Sequence, residues 1–237
     1  MESLLLAWFR RHGRDLPWRG SRDAYAILVS EVMAQQTQIA RVVPRWEEWM
    51  ARWPSVEALA AAPLADVIRA WQGLGYNRRA VSLHRAAVVI ARDGWPGDLT
   101  SLPGVGRYTA DAVAAFAFGR DVLPVDVNVQ RLMERTGASF GPAAAQALMD
   151  LGATVCLARL PRCAACPLAD GCPSRGRRYE AVRKQGPLEG SFRQRRARAL
   201  RAVAAGASAV ADAEAVESLA RDGLVHVDGG RVALPGQ

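Results

Sequence analysis

A chain of 237 residues is long enough for a sizeable core, as one large domain or two smaller ones. Half of its residues are hydrophobic, which argues against global disorder, and no apolar run approaches the roughly 18–20 residues of a membrane span. The formal net charge of +8 favours an acidic partner, nucleic acid first, although the Ala- and Arg-rich composition explains part of it.

The apolar residues up to about position 180 recur at helical spacing and nowhere alternate as in a strand, so we predict an all-α protein. Ser55 and Asp126 are predicted N-caps. The predicted helices cover residues 4–12, 23–36, 39–52, 55–60, 64–71, 79–92, 107–118, 127–136 and 142–157.

The pattern changes towards the C-terminus. Residues 174–198 are dense in arginine and form either a basic arm or a solvated charge run. One or two helices then precede two short alternating runs around Asp228-Gly229-Gly230, which predict a hairpin. Helices followed by a hairpin indicate a small winged-helix-like extension.

The segment LPGVG, Leu102 to Gly106, predicts a tight turn between two helices. Pro103 disfavours helix at the residue before it, and Gly104 and Gly106 permit backbone angles that other residues avoid. Free N–H groups at the start of the next helix would suit a phosphate. Many such turns are only turns, so the segment by itself is a weak functional signal.

All four cysteines lie within seventeen residues, spaced C-x6-C-x2-C-x5-C: Cys156, Cys163, Cys166 and Cys172. Four thiolates can hold zinc or a [4Fe–4S] cluster. Only one pair is close, and a structural zinc site usually has two close pairs, so the spacing favours the cluster. The N-terminus has no cleavage pattern of a signal peptide. We therefore expect a cytoplasmic protein, in which disulfides are disfavoured.

Two carboxylates suggest catalysis. Glu31 lies in an apolar predicted helix, where desolvation would raise its pKa and let it act as an acid; the alternative is an exposed glutamate on the helix edge. Asp126 at a helix N-terminus favours the ionised form, and capping alone would also explain it. One neutral and one ionised carboxyl is the pair that glycosidic bond cleavage requires.

Together these motifs resemble the helix-hairpin-helix DNA glycosylases of the endonuclease III superfamily, and within it the MutY adenine glycosylases. The resemblance covers residues 1 to about 180 and rests on DLPWR, SEVMAQQTQ, WQGLGY, LPGVGRYTA, VDVNV, MDLGA and the four cysteines. It implies a six-helix barrel over residues 23–124 and an iron–sulfur cluster domain from residues 1–22 and 125–180. It also implies that double-stranded DNA containing a mispair binds in a cleft between the two domains, with the target nucleotide flipped out. Residues 181–237, outside the resemblance, are predicted to form a basic linker and a small C-terminal extension.

The resemblance also implies residue roles. Glu31 takes the place of the acid that protonates N7 of adenine, and Asp126 that of the carboxylate that stabilises the sugar cation or a covalent sugar intermediate. Asn128 and Tyr108 take places around this pair. The remaining implied DNA contacts are Arg14, Trp18 and Arg19 near the base pocket, Gln36, Thr37, Leu74 and Tyr76 in loops that touch the opposite base, and Gly104, Val105 and Gly106 in the hairpin. Ordinary core packing is the alternative for Trp18, Leu74 and Tyr76.

Position 108 separates two reaction types. Bifunctional relatives have a lysine there that attacks the sugar, whereas this chain has Tyr108, and its single lysine is Lys184. We therefore predict a monofunctional enzyme, an adenine glycosylase acting opposite 8-oxoguanine or guanine. A thymine or uracil mismatch glycosylase and a non-catalytic DNA-binding module are the alternatives. A monomeric bacterial protein associated with the nucleoid is expected.

The chain departs from the MutY pattern in several places. MutY enzymes usually have a large C-terminal domain that recognises 8-oxoguanine, and the roughly fifty residues that follow the basic segment do not resemble it. Val127 stands where the family usually has glycine, Asn77 stands where tyrosine is often repeated, and the stretch between positions 137 and 150 is short. These departures concern the identity of the substrate base pair.

Overall fold

The computed structural model describes residues 1–180 and 186–236. Lys184 and part of the predicted basic arm lie outside the described residues. The helices are α1 (Glu2–His12), α2 (Ala24–Ala34), α3 (Ile39–Arg52), α4 (Val56–Ala60), α5 (Leu64–Ala70), α6 (Arg78–Asp93), α7 (Arg107–Phe116), α8 (Val127–Thr136), α9 (Ala145–Thr154), α10 (Phe192–Ala204) and α11 (Ala213–Arg221). The strands are β1 (His226–Asp228) and β2 (Arg231–Ala233).

The all-α prediction is confirmed for the described part of residues 1–180, where every regular element is helical. The Ser55 side chain accepts from the N–H of Ala58, as an N-cap does. The prediction of one helix over 142–157 is wrong. Its first turn, Pro142–Ala144, is a 3₁₀ helix, and α9 ends at Thr154. Beyond that residue the carbonyl of Val155 accepts from the N–H groups of Leu157 and Arg162, which does not continue the helix.

The C-terminal hairpin is confirmed. Strands β1 and β2 are antiparallel, with Asp228 opposite Arg231. The two residues between them, Gly229 and Gly230, have φ of 51° and 79°. Positive φ at both positions is what a type I′ turn requires, and glycine adopts it without strain.

The chain divides into two compact units. One comprises Met1–Ala24 with the described residues from Arg107 to 180, and the other comprises Tyr25–Gly106 with the residues from Gly186 onward. This division differs from the boundaries expected from the sequence, since α7 groups with the cysteine-bearing segment and the C-terminal extension groups with α2–α6. The six-helix barrel over 23–124 stays a prediction.

In the first unit, α1, α8 and α9 enclose an apolar core. Leu5, Leu132, Leu148 and Leu151 are its fully buried members. Gly152 lets α8 and α9 approach closely, because a β-carbon there would lie 2.8 Å from that of Asn128. This core therefore fixes the start of α8, where Asp126 lies.

In the second unit, the C-terminal extension shares a core with α5 and α6. Ala65, Ile68 and Val81 pack with residues of α10, α11 and the hairpin, and the Arg69 side chain donates to the carbonyl of Ala204. The extension therefore belongs to the core of this unit and is not a separate appendage.

In the described residues, no helix is long and apolar enough to cross a membrane.

We expect Leu200→Ala in α10 to destabilise the protein by about 2–5 kcal/mol, because Leu200 is fully buried and its loss leaves a cavity. Urea unfolding followed by tryptophan fluorescence measures this, since Trp49 and Trp71 lie in the core of the same unit. Ala197→Gly, at an exposed position of the same helix, should cost only about 1 kcal/mol. An unchanged tryptophan transition in Leu200→Ala would mean that the extension folds independently.

Candidate functional site

Asp126 caps α8, and its carboxylate accepts three N–H hydrogen bonds. Oδ1 accepts from the backbone N–H groups of Asn128 (2.9 Å) and Val129 (2.7 Å), and Oδ2 accepts from the side-chain amide of Asn128 (2.7 Å). The capping prediction is confirmed. Val125 and Val127 flank the carboxylate, and Val127 is 74% exposed. A half-exposed carboxylate so held suits a negative charge facing a developing cation.

A hydrogen-bonded path leads from Asp126 to the first cysteine. The Asn128 side-chain oxygen accepts from Arg131 Nη2 at 2.8 Å, and the same nitrogen donates to the carbonyl of Gly152 at 2.7 Å. Arg131 Nε donates to the carbonyl of Cys156 at 2.9 Å. Burial lowers the pKa of Arg131. Asn128 thus links Asp126 to the framework that carries the cysteines.

Arg14 and Arg19, predicted near the base pocket, both bind the carboxylate of Asp150 in α9. Arg14 donates from its backbone N–H at 2.7 Å and from Nε at 2.8 Å, while Arg19 reaches both carboxylate oxygens at 2.8 and 3.0 Å. The Asp150 side chain is 0% exposed. Burial raises its pKa, but the hydrogen bonds from Arg19 and Arg14 outweigh burial and leave the pKa below its usual range. The network fixes the segment between α1 and α2.

Other predicted residues of this unit are less closely held by the contacts described. The Tyr108 hydroxyl in the first turn of α7 lies 3.9 Å from the sulfur of Met149, within reach of a weak hydrogen bond. Trp18 is half-buried in the same segment as Arg19. The role of Tyr108 beside the two carboxylates stays a prediction, as do the two alternatives for Trp18.

Glu31 lies between the two alternatives given by the sequence, burial in the apolar helix and exposure at its edge. Residues 24 to 30 of the helix are buried, and so are Val32 and Met33, but Glu31 itself is half-exposed. The Glu31 carboxyl group is therefore partly accessible to solvent, although its neighbours in the helix are buried. That placement lets an acid reach a substrate, which full burial would not.

The segment from Leu102 to Gly106 forms a tight turn, as predicted. The N–H of Val105 donates to the carbonyl of Leu102 at 3.1 Å, Pro103 lies at the second position, and Gly104 has φ +76°. This is the pattern of a type II turn. Leu102 and Val105 are buried and anchor the turn, while Gly104 and Gly106 are exposed. The turn immediately precedes α7 in sequence.

We expect Gly104→Ala to destabilise the protein by about 2 kcal/mol and to weaken DNA binding, because its β-carbon would lie 2.5 Å from that of Ser82 at a positive φ. Gly97→Ala is the matched control, since nothing lies within 4 Å of its added carbon and Gly97 is outside the proposed DNA contacts. Urea unfolding and fluorescence anisotropy with a labelled duplex measure the two effects. Equal losses in both variants would contradict this account of the turn.

Two loops of the second unit carry the remaining predicted DNA contacts. The α2 loop (residues 35–38) follows α2 and contains Gln36 and Thr37, and the α5 loop (residues 73–76) follows α5 and contains Leu74 and Tyr76. Gln36 is exposed and Tyr76 is 51% exposed, whereas Leu74 is only 4% exposed. Packing explains Leu74 in this conformation, and Gln36 and Tyr76 are accessible to a ligand.

The four cysteines line a single cavity in the first unit, together with Leu132, Leu151 and Leu168. Hydrogen-bond donors face two sulfurs: Gly176 N–H lies 3.3 Å from Cys163 and Arg135 Nη1 lies 3.5 Å from Cys156. Apolar walls and donors to sulfur suit a group ligated by thiolates. Among residues 1–180 and 186–236, no three His, Cys, Asp or Glu side chains are placed to hold one metal ion.

Sequence reasoning assigned no role to Asp150 or Arg79. A carboxylate among the apolar residues of α9 was the available signal for Asp150, since a buried charge needs partners. For Arg79 the signal was a cation in the first turn of α6, where the helix dipole disfavours it. Neither signal identifies the partner residues.

Comparison with known proteins establishes the family. Residues 29–151 match the HhH-GPD superfamily of base excision DNA repair proteins, and the chain belongs to that superfamily. This confirms the resemblance to the helix-hairpin-helix glycosylases, and the relatives confirm its MutY branch.

The chain is 43% identical to the adenine DNA glycosylase of Mycobacterium tuberculosis, over 98% of this chain and 93% of that protein. It is 38% identical to human adenine DNA glycosylase, over 79% of this chain and 42% of that protein. The mycobacterial match includes the C-terminal extension. It runs over 292 positions, more than the 237 residues here, so that relative contains segments absent from this chain.

Solved structures agree on the fold. A thermostable thymine-DNA glycosylase has a TM-score of 0.65 and 27% identity, covering 73% of this chain and 93% of that one. A trapped endonuclease III–DNA covalent intermediate has a TM-score of 0.61 at 22% identity, covering 73% and 92%. The predicted fold class is thereby confirmed.

Proposed function

We propose that this protein is an adenine DNA glycosylase of base excision repair, which hydrolyses the N-glycosidic bond of adenine mispaired with 8-oxoguanine or guanine in double-stranded DNA. The observation that carries the proposal is the 43% identity to an adenine DNA glycosylase over 98% of the chain. The half-exposed Glu31 and the capped Asp126 provide the two carboxyl groups that the reaction needs. We further propose that it acts as a monomer in the bacterial cytoplasm, on the nucleoid.

In the proposed mechanism, Glu31 protonates N7 of adenine, which makes the base a better leaving group. The bond from the sugar to the base then breaks, and the electron pair leaves with adenine. Asp126 stabilises the positive charge that develops on the sugar, and Asn128 orients Asp126 through its side-chain amide. Water completes the hydrolysis and leaves an abasic site.

The same residues support a monofunctional reaction. A Schiff-base mechanism needs an amine at the sugar, and position 108 is tyrosine. We therefore propose that the DNA strand stays intact after the base leaves. The proposed DNA contacts are Arg14, Trp18, Gln36, Thr37, Tyr76 and the hairpin, while Arg19 would position Arg14 through Asp150.

The four cysteines are proposed to hold a [4Fe–4S] cluster, which would tie the segment around Cys163 and Cys172 together. The support is their common cavity and the donors that face the sulfurs of Cys156 and Cys163. Iron and acid-labile sulfide analysis of the purified protein tests this. We expect about four iron atoms and four sulfide ions per chain. Zinc without sulfide would contradict the cluster and indicate the zinc site that four thiolates can also form.

A mismatch thymine or uracil glycosylase is the second candidate, because a thymine-DNA glycosylase shares the fold at 27% identity. Single-turnover assays on duplexes with A:8-oxoguanine, A:G, G:T and G:U, with alkali added afterwards, separate the candidates. Cleavage of the A strand only after alkali supports the proposal. Cleavage of the T or U strand supports the second candidate, and DNA binding without any cleavage indicates a non-catalytic module.

A further inference from the structure

Backbone strain in the described residues is concentrated in the α2 loop and the α5 loop. Gln36 (φ 53°) and Tyr76 (φ 46°) are the two non-glycine residues there with positive φ. Such a conformation costs about 1–3 kcal/mol, and it persists only where the surroundings impose it. Both strained residues are exposed, so their side chains are held outward at a cost in stability.

One side chain contacts both loops. On the α2 side, Arg79 Nη1 donates to the carbonyls of Val32 at 2.6 Å, Met33 at 3.1 Å and Gln35 at 2.7 Å. Those of Val32 and Met33 belong to the last turn of α2, where carbonyls lack partners within the helix and carry the negative end of the dipole. Arg79 therefore caps α2 and fixes the backbone immediately before Gln36.

On the other side, Arg79 Nη2 donates to the carbonyl of Gly75 at 2.9 Å, to that of Leu74 at 3.3 Å and to the Thr37 hydroxyl at 3.1 Å. The Thr37 hydroxyl also lies 3.3 Å from the carbonyl of Leu74. The backbone N–H of Arg79 donates to the carbonyl of Tyr76 at 3.0 Å. The two loops are thus joined through one guanidinium and one hydroxyl.

The position of Arg79 is unfavourable for a residue that serves only its own helix. It lies in the first turn of α6, where the dipole opposes a cation, and burial lowers its pKa to about 10. The group is still charged at neutral pH. Its guanidinium lies over the rings of Trp71 (5.3 Å) and Tyr76 (5.6 Å), which partly offsets the lost hydration.

We propose that Arg79 is a positioning residue for recognition of the base opposite the target adenine. By holding the two loops at one separation, it presents the Gln36 amide and the Tyr76 ring to the base pair as a single rigid unit, the amide to hydrogen-bond a base edge and the ring to stack. The proposal rests on the proposed function, in which these two side chains touch DNA.

Lysine cannot replace this arginine, because its single nitrogen has three donors and no fork that spans two sets of carbonyls. In Arg79→Lys we expect the ratio of single-turnover rates on A:8-oxoguanine and A:G to fall at least tenfold. Ile90→Ala is the matched control: it creates a cavity in the same helix and should lower stability but keep the ratio. An unchanged ratio in Arg79→Lys overturns the proposal.

A double-mutant cycle separates positioning from general support. If Arg79 acts through Gln36 and Tyr76, Arg79→Lys should change the ratio by less than twofold in a Gln36→Ala/Tyr76→Ala background, with the two loop substitutions treated as one change. Independent, multiplicative effects overturn the proposal. Should Arg79→Lys fail to fold, Arg79→Gln replaces it in both experiments, since its shorter amide has no fork that spans two sets of carbonyls.

Amide hydrogen exchange of the free protein gives a readout that needs no catalysis. Arg79→Lys should accelerate exchange in both loops together, at residues 35–38 and 73–76, and Ile90→Ala should not do so selectively. If the wild-type protein excises no adenine, the proposed function fails whatever the exchange shows. If it excises adenine and exchange rises in only one loop or in neither, the positioning role alone fails.

Discussion

Asp126→Asn should lower the single-turnover rate of adenine excision by at least about 10²–10³-fold, the loss typical of removing one preorganised electrostatic group. Asparagine is as good an N-cap as aspartate, so its side-chain oxygen can still accept from the N–H groups of Asn128 and Val129. The negative charge is lost, and so is the hydrogen bond from the Asn128 side-chain amide, because the NH2 group of an asparagine cannot accept it. The measurement is the excision rate on A:8-oxoguanine, with the unfolding free energy determined in parallel.

Asp212→Asn is the matched control for this substitution. Asp212 caps α11 through the N–H of Ala215 at 3.1 Å, so the same chemical change is made at a second helix N-terminus. We expect both variants to stay within about 1 kcal/mol of the wild-type stability and only Asp126→Asn to lose activity. Excision at near wild-type rate by Asp126→Asn would remove Asp126 from the mechanism and leave it a helix cap.

Asp150→Asn should destabilise the protein by about 3–5 kcal/mol at neutral pH, because it leaves Arg14 and Arg19 half-buried without their counter-charge. Neutral asparagine can accept some of the hydrogen bonds but cannot balance two guanidinium groups. Urea unfolding at pH 7 measures the loss. Asp93→Asn, which breaks the exposed pair with Arg92, should leave the stability nearly unchanged, because both side chains are solvated.

The difference between wild type and Asp150→Asn should depend on pH in a defined direction. Hydrogen bonds from Arg19 and Arg14 hold the pKa of Asp150 below its usual range despite burial. The native state therefore favours the ionised carboxylate, and this stabilisation is complete above the usual aspartate pKa of about 4. It is lost as the pH falls through that value towards the lower folded pKa. A difference that grows in acid would contradict the assigned ion pairs.

Local sequence signals predicted most of the helices, since each depends on neighbours within a few residues. Asp126 and Ser55 precede apolar helical runs, and capping is a contact with the next two or three N–H groups. Glycine at both turn positions likewise predicted the hairpin at Gly229. The end of α9 could not be predicted, because the pattern through Cys156 stays apolar while tertiary contacts redirect the chain.

Long-range pairs account for what the sequence missed in the site. Arg14 and Asp150 are 136 positions apart, and no periodicity joins them. Arg79 contacts carbonyls of two loops, and a backbone acceptor has no residue identity that a sequence pattern could reveal. For Glu31 the sequence left both burial and exposure open, and the tertiary structure gives a half-exposed side chain between buried neighbours.

The path from Asp126 through Asn128 and Arg131 to the carbonyl of Cys156 has a practical consequence for preparing this protein. A change in the cysteine segment would remove the hydrogen bond from Arg131 to the carbonyl of Cys156. The Asn128 amide, which orients the Asp126 carboxylate, would then shift, while α8 and α9 keep their apolar core. Circular dichroism would then report a native helix content in material that excises nothing. The concentration of folded protein is therefore a poor measure of the concentration of active enzyme. Variants should be compared after active-site titration.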